Sequence, residues 1–267
     1  MKVFISADIE GITTTTIWDE THTMTDPGKA APHARQMTLE VKAACEGAIA
    51  AGATEIVVKD AHGSATNIDM TMLPDCVKRI RGWSGHPYQM VQGVDSSFDA
   101  AMFIGYHSAA GRCGSPLSHT FSGKTNKVRI NDMICSEFLL YSWACALEGV
   151  PAVLLSGDKT LCEDSAAICP NLKTVAVKEG FGGSTCAISP ELACRRIREA
   201  AESALAPGFS KEVFTLPEHF VLELQYKEVK DSVRASFYPG CKLAGDTTVV
   251  METDDFMDIL RSVPFIF

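Results

Sequence analysis

Lys2-Val3-Phe4-Ile5-Ser6-Ala7 is a short apolar run that breaks off into Asp8-Ile9-Glu10-Gly11. It does not alternate between apolar and polar residues, as expected of a strand covered on both faces in a parallel sheet. Asp8 and Glu10 stand two apart, so in extended backbone both carboxylates leave by the same face. Two carboxylates on one face repel unless a proton or a cation neutralises them.

The same pattern recurs downstream. Residues 55–59 (EIVVK) form a second run, ending in Asp60-Ala61-His62-Gly63. Residues 98–106 form a third, ending at His107, and residues 152–156 a fourth, ending at Gly157-Asp158. Residues 172–178 are a fifth. Between them lie helical patterns. Met37, Val41, Ala44, Cys45 and Ala48 recur at three- and four-residue intervals within 33–51, and Gly52 closes that helix. Residues 137–148 and 190–205 are further helices. Strands alternating with helices predict an α/β fold, a mostly parallel sheet with helices on both faces. The Thr-rich stretch 13–32, with Pro27-Gly28 as a turn signal, is long for a loop, and such loops serve function or motion.

Composition shifts after Ala206-Pro207-Gly208. Strands at 213–226 and 246–252 and helices at 227–236 and 254–263 predict a smaller α+β unit. The division is therefore a catalytic, metal-binding α/β domain over 1–206 and a C-terminal unit over 207–267.

A chain of 267 residues is long enough for this arrangement, and 46% hydrophobic with 21% charged residues rules out a disordered chain. The formal net charge of −9 argues against nucleic acid and anionic membrane as partners. One tight basic cluster is Lys78-Arg79-Ile80-Arg81. No signal peptide or membrane span is legible, so a cytoplasmic protein is expected. The ten cysteines contain no Cys-x-x-Cys pair. Cys45, Cys135, Cys145, Cys186 and Cys194 fall in helical or apolar runs and are expected to be buried free thiols.

In an open parallel sheet, ligands bind beyond the carboxyl ends of the strands. Those ends carry Asp8, Glu10, Asp60, His62, His107 and Asp158. Mixed carboxylates and imidazoles suit zinc, manganese or iron. More than four ligands imply two ions sharing a bridging carboxylate, and Asp8 is the central candidate. Ser118-His119 is no catalytic dyad by itself, because adjacent residues in a strand point apart. No Gly-x-Ser-x-Gly elbow occurs, and Gly180-Phe181-Gly182-Gly183 lacks the residues of a phosphate loop and reads as a turn.

Several motifs together resemble the zinc-dependent D-aminopeptidases associated with bacterial dipeptide-transport operons. These are Ser6-x-Asp8-x-Glu10-Gly11-Ile12, Ala34-Arg35-x-Met37-Thr38-x-Glu40-Val41, Asp60-Ala61-His62-Gly63-Ser64 with Asn67-Ile68, and Gly105-Tyr106-His107. His119-Thr120, Asn131 followed by Glu137, and Ser156-Gly157-Asp158 complete the series, which spans roughly residues 1–205. The resemblance implies two zinc ions per subunit held by Asp8, Glu10, His62, His107 and Glu137, with Asp8 bridging. Glu137 alone reads only as an acidic residue in the first turn of a helix. The resemblance also implies short peptide substrates carrying D-residues, and ring-like homo-oligomers that restrict access to them.

This chain departs from the family pattern at two places. Ser118 stands where the founding type has a cysteine nucleophile, and a hydroxyl is a far weaker nucleophile than a thiolate. A hydroxide generated at the metal is therefore the favoured attacker over Ser118, with His119 binding the oxyanion or shuttling a proton. Asp132 replaces the glycine that commonly follows the Asn, which is expected to alter the loop leading to Glu137. Two rival functions use the same cluster. One is a metal-dependent phosphoesterase, for which Lys59, Arg112 and Lys124 are available cations. The other is a metal- or peptide-binding module without catalysis.

Overall fold

Alternate residues of the first strand feed two different cores. In the computed structural model, which describes residues 1–267, β1 (Lys2–Ala7) sends Val3, Ile5 and Ala7 to one core and Phe4 to the other. This period-two sorting is what a strand covered on both faces requires. Six further strands join it: β2 (Glu55–Asp60), β3 (Val77–Ile80), β4 (Ala100–Tyr106), β7 (Ala152–Asp158), β8 (Lys173–Phe181) and β9 (Ser184–Ala187). Their order is β3-β2-β1-β4-β7-β8-β9, parallel throughout except for the β8–β9 hairpin, whose turn is Gly182-Gly183.

The chain runs outward from β1 to β2 and β3, then returns to β4 on the other side of β1. That reversal opens a crevice between β1 and β4 at their carboxyl ends, where parallel sheets bind ligands. Helices α1 (Pro27–Ala50) and α4 (Pro190–Ala204) pack together over the first core. Helix α2 (Glu137–Leu147) covers the opposite face, and α3 (Lys159–Ile168) packs against β7 and β8. No helix is long and apolar enough to cross a membrane.

A second, antiparallel sheet has the order β11-β12-β10-β5-β6. It draws β10 (Phe220–Tyr226), β11 (Cys241–Leu243) and β12 (Thr248–Thr253) from the last sixty residues or so, and β5 (Thr125–Ile130) and β6 (Met133–Ile134) from the middle of the chain. Helices α5 (Val229–Ser236) and α6 (Phe256–Ile266) pack on it.

The structure adds to or differs from the sequence expectations at several points. Pro27-Gly28 is the start of α1 rather than a turn, with Asp26 accepting from Lys29 N (3.3 Å) as its cap. Proline suits a first helical position because the N–H it lacks has no partner there. The basic cluster at 78–81 falls largely on β3, where charge protects the exposed edge of the sheet. Helix α3 and the β5–β6 hairpin lie in segments without a clear apolar period. Cys45, Cys135 and Cys145 are buried, whereas Cys186 is exposed on the edge strand β9 and Cys194 is half-buried.

Asn131 and Asp132 form the two-residue turn between the paired Ile130 and Met133, at φ +49 and +65°. Asn131 ties this turn to β10: its Oδ1 accepts from Val221 N (2.7 Å), and its Nδ2 donates to His219 O (2.6 Å). A left-handed second turn residue favours glycine, and the exposed Asp132 side chain makes no compensating bond. Replacing Asp132 by Gly is expected to raise stability by up to about 1 kcal/mol, read as a higher urea midpoint at unchanged slope.

Candidate metal centre

The crevice at the β1–β4 reversal gathers residues from four elements. Asp8 and Glu10 follow β1, His62 follows β2, His107 follows β4, and Glu137 opens α2, whose cap Ser136 accepts from Leu139 N (3.1 Å). Asp8, Glu10, His107 and Glu137 are each at most 3% exposed. A β-bulge aims His107. Gly105 takes φ +73° where the register of β4 against β7 shifts, so Tyr106 joins the core of Phe103 rather than that of Ile104. A Cβ at Gly105 would lie 2.3 Å from Asp8 O, so only glycine lets the two strand ends approach.

Three imidazoles are oriented in the same way. His62 Nε2–H donates to Thr21 O (3.0 Å), His107 Nδ1–H to Ser108 O (3.0 Å) and His119 Nδ1–H to Leu117 O (2.8 Å). A carbonyl only accepts, so in each neutral ring the other nitrogen presents a lone pair inward. His62 Nδ1 faces Asp8 Oδ1 at 3.3 Å and Glu10 Oε2 at 3.0 Å. His107 Nε2 faces Asp8 Oδ2 and Glu137 Oε2, each at 3.4 Å. His119 Nε2 lies 3.6 Å from Glu137 Oε1, and its ring stacks on His107 at 4.2 Å.

Lone pairs and carboxylate oxygens thus converge on two points, and positive charge must fill them. Protons are one source. Burial opposes charge on His107, but Glu137, then Asp8 and Glu10, push it up to about 10. His62 is likewise desolvated, and Glu10 and Asp8 raise it well above the usual imidazole range. Burial and the Glu10 charge together raise Asp8 well above an ordinary carboxylate. Dications are the other source, and the residues fit them. Glu10 Oε2 and His107 Nε2 are buried and make no hydrogen bond. Tetrahedral bonds of about 2.0–2.1 Å set neighbouring donors roughly 3.3 Å apart, which matches the separations of 3.0–3.4 Å found here.

The model of the Peptidase_M55 family, described as D-aminopeptidase, matches residues 1–265. The chain belongs to this peptidase family. It is 28% identical over 267 residues to a D-aminopeptidase of Bacillus subtilis (strain 168), covering 98% of this chain and 95% of that one. Its fold superposes with a TM-score of 0.90 on the Zn-dependent D-aminopeptidase DppA from Bacillus subtilis, a self-compartmentalizing protease. That match is 26% identical and covers 100% of this chain and 96% of the other.

Not every strand-end carboxylate of this M55 peptidase points into the centre. Asp60 accepts from Ile68 N (2.9 Å), Asn67 N (2.5 Å) and Asn67 Nδ2 (2.8 Å), closing the loop that carries His62. Asp158 accepts from Ser108 N (2.6 Å), Ser108 Oγ (2.5 Å) and Leu161 N (3.0 Å), bracing the residue next to His107 and capping α3. Both are spent on loop donors, main-chain and side-chain, outside the centre. Ser118 also turns away: its hydroxyl donates to Ser115 O (2.7 Å) and does not line the cavity. His119 does line it.

The cavity measures about 650 Å³. Trp18, Met24, Trp83, Met90 and Phe121 supply its apolar wall, and no Lys or Arg lines it. These wall residues were not legible beforehand, because single aromatics in loops carry no period. Trp18 packs edge-on against His119 (5.1 Å), and Thr21 orients His62, so the 13–26 loop touches the centre directly.

Metal uptake displaces protons. In the metal-free protein His62, His107 and Asp8 all sit above their ordinary values, and a dication needs the neutral imidazoles and the ionised carboxylate. Zinc uptake near neutral pH is therefore expected to release protons, and affinity to rise with pH until about pH 10. Calorimetric titrations in buffers of different ionisation enthalpy check this, and uptake without proton release would contradict it.

Proposed function

We propose that the chain is a zinc-dependent aminopeptidase that hydrolyses the N-terminal amide bond of short peptides carrying D-residues, using two ions per chain. The observation that carries this reading is Asp8, one oxygen of which faces the His62 imidazole and the other the His107 imidazole. In this reading Asp8, Glu10 and His62 would hold one ion, and Asp8, His107 and Glu137 would hold the other. Bound dications supply Lewis acidity toward the scissile carbonyl and toward water.

The chain's own residues supply the proton path. Burial, and then the charge of His107, hold His119 below the usual imidazole value, so its Nε2 is free to accept a proton near neutral pH. In the proposed mechanism His119 Nε2 takes the proton of the attacking water and returns it to the leaving amine. Ser118 is left a structural role in its turn, with its hydroxyl committed to Ser115 O.

The phosphoesterase reading is weaker because each candidate cation is engaged elsewhere. Lys59 donates to Asp60 O (2.6 Å) and Gly82 O (2.9 Å), Arg112 pairs with Asp164 (2.6 Å), and Lys124 reaches Phe267 O (3.3 Å). Ten free cysteines accord with a reducing, cytoplasmic setting. The exposed apolar residues Val229 and Val233 on α5, Phe237 just beyond it and Phe265 in the last turn of α6 accord with a homo-oligomer such as a ring.

A chelator should abolish hydrolysis of D-aminoacyl amides and short peptides, and zinc should restore it. Ser118→Ala should keep kcat/KM within about threefold, while His119→Ala should lose about 10²- to 10⁴-fold. Steady-state assays on matched D- and L-alanyl amides and a phosphoester read all three. Chelator-insensitive turnover, or loss confined to Ser118→Ala, would reverse the reading.

A further inference from the structure

The loop that carries Glu10 is clamped by buried charge from two other elements. Lys178 on β8 is 3% exposed and does not line the cavity. Its ammonium donates to the main-chain oxygens of both Glu10 and Thr15, the two ends of the turn that follows β1. Glu40 on α1 is fully buried, and its Oε1 accepts from Thr13 N (3.0 Å) in the middle of the same turn and from Gln36 Nε2 (3.0 Å). Gly11 N donates to Gly105 O (2.8 Å), and a Cβ on Gly11 would lie 1.7 Å from Tyr106 O, so the turn is pressed against β4. A buried ammonium is costly: burial pulls Lys178 down to about 8, and the charges of Asp158, Glu40, Glu10 and Glu20 offset that cost only in part.

The supports of the other ligands are different. His107 is held by Ser108 O, beside the bond from Ser108 to Asp158, and Glu137 by the first turn of α2 and by Phe121 N (2.6 Å). His62 is held by Thr21 O (3.0 Å).

We propose that Lys178, assisted by Glu40, is a positioning residue that sets the Glu10 carboxylate and thereby tunes metal affinity at the Asp8–Glu10–His62 position alone. Removing the ammonium leaves two buried carbonyls without a donor and frees the turn to rotate Glu10 out of line. Loss of such a support typically weakens metal binding by about 10- to 100-fold. The inference rests on the two-ion reading.

Metal-free protein titrated with zinc against a competing chelator tests it. Wild type should show two binding events, assigned by which one Glu10→Gln and which one Glu137→Gln weakens. Lys178→Met should weaken the Glu10 event by about 10- to 100-fold and leave the other within about threefold. Lys178→Arg should recover part of the loss, because it restores a cationic donor. Should Lys178→Met not fold, Glu40→Ala, which releases Thr13 N, carries the same one-sided expectation. Equal weakening of both events, or no change in either, overturns the proposal. A wild-type chain that takes up a single ion overturns the two-ion reading instead, and the proposal with it.

Discussion

Three buried carboxylates and the inward lone pairs of three imidazoles cannot share one crevice without added positive charge. Asp8, Glu10 and Glu137 face His62, His107 and His119 at 3.0–3.6 Å, and the three carboxylates are almost wholly buried. Such an arrangement is held only by protons or by cations. The folding free energy of the surrounding sheet must keep these groups together against their own repulsion. That constraint accounts for the density of polar anchoring around the site, which would be excessive for an ordinary loop region.

The anchors share one design. Asp60 and Asp158 collect main-chain N–H groups, while Lys59 and Lys178 give their protons to main-chain oxygens. Buried charges of both signs are therefore spent on loop backbone, where each bond made to a charged group is stronger than one between neutral groups. Lys59 also lies 4.0 Å from the ring centroid of Trp83, whose Nε1–H donates to Gly63 O (2.7 Å). A single ammonium thus ties an apolar wall of the cavity to the loop that bears His62.

Much of this was legible residue by residue. The runs at 2–7, 55–59 and 98–106 read as buried parallel strands because they are apolar without alternation. A parallel sheet gathers the ends of such strands, so Asp8, Glu10, His62 and His107 were expected to meet. Glu137 was not legible from its own surroundings, since an acid in a helical first turn is the ordinary case. Asp60 and Asp158 looked like equal candidates for the centre. Their side chains instead meet N–H groups returning from residues 67–68, 108 and 161, and no local pattern announces that return. The β5–β6 hairpin escaped notice because its pairing partner, β10, lies about ninety residues away.

The sequence by itself determined the alternation of strand and helix, the direction of the sheet and which chemistry sits at the strand ends. Those properties follow from local periodicity and from residue type, which act over a few residues. Only the tertiary structure decided which carboxylates face the imidazoles, that Asp8 presents one oxygen to each of two of them, and that Ser118 turns its hydroxyl away. These outcomes depend on the bulge at Gly105, on the reversal of strand order between β1 and β4, and on hydrogen bonds between distant segments. The Asp8–Glu10 pair is a repulsion in the sequence; its neighbours in space make it part of a candidate metal centre.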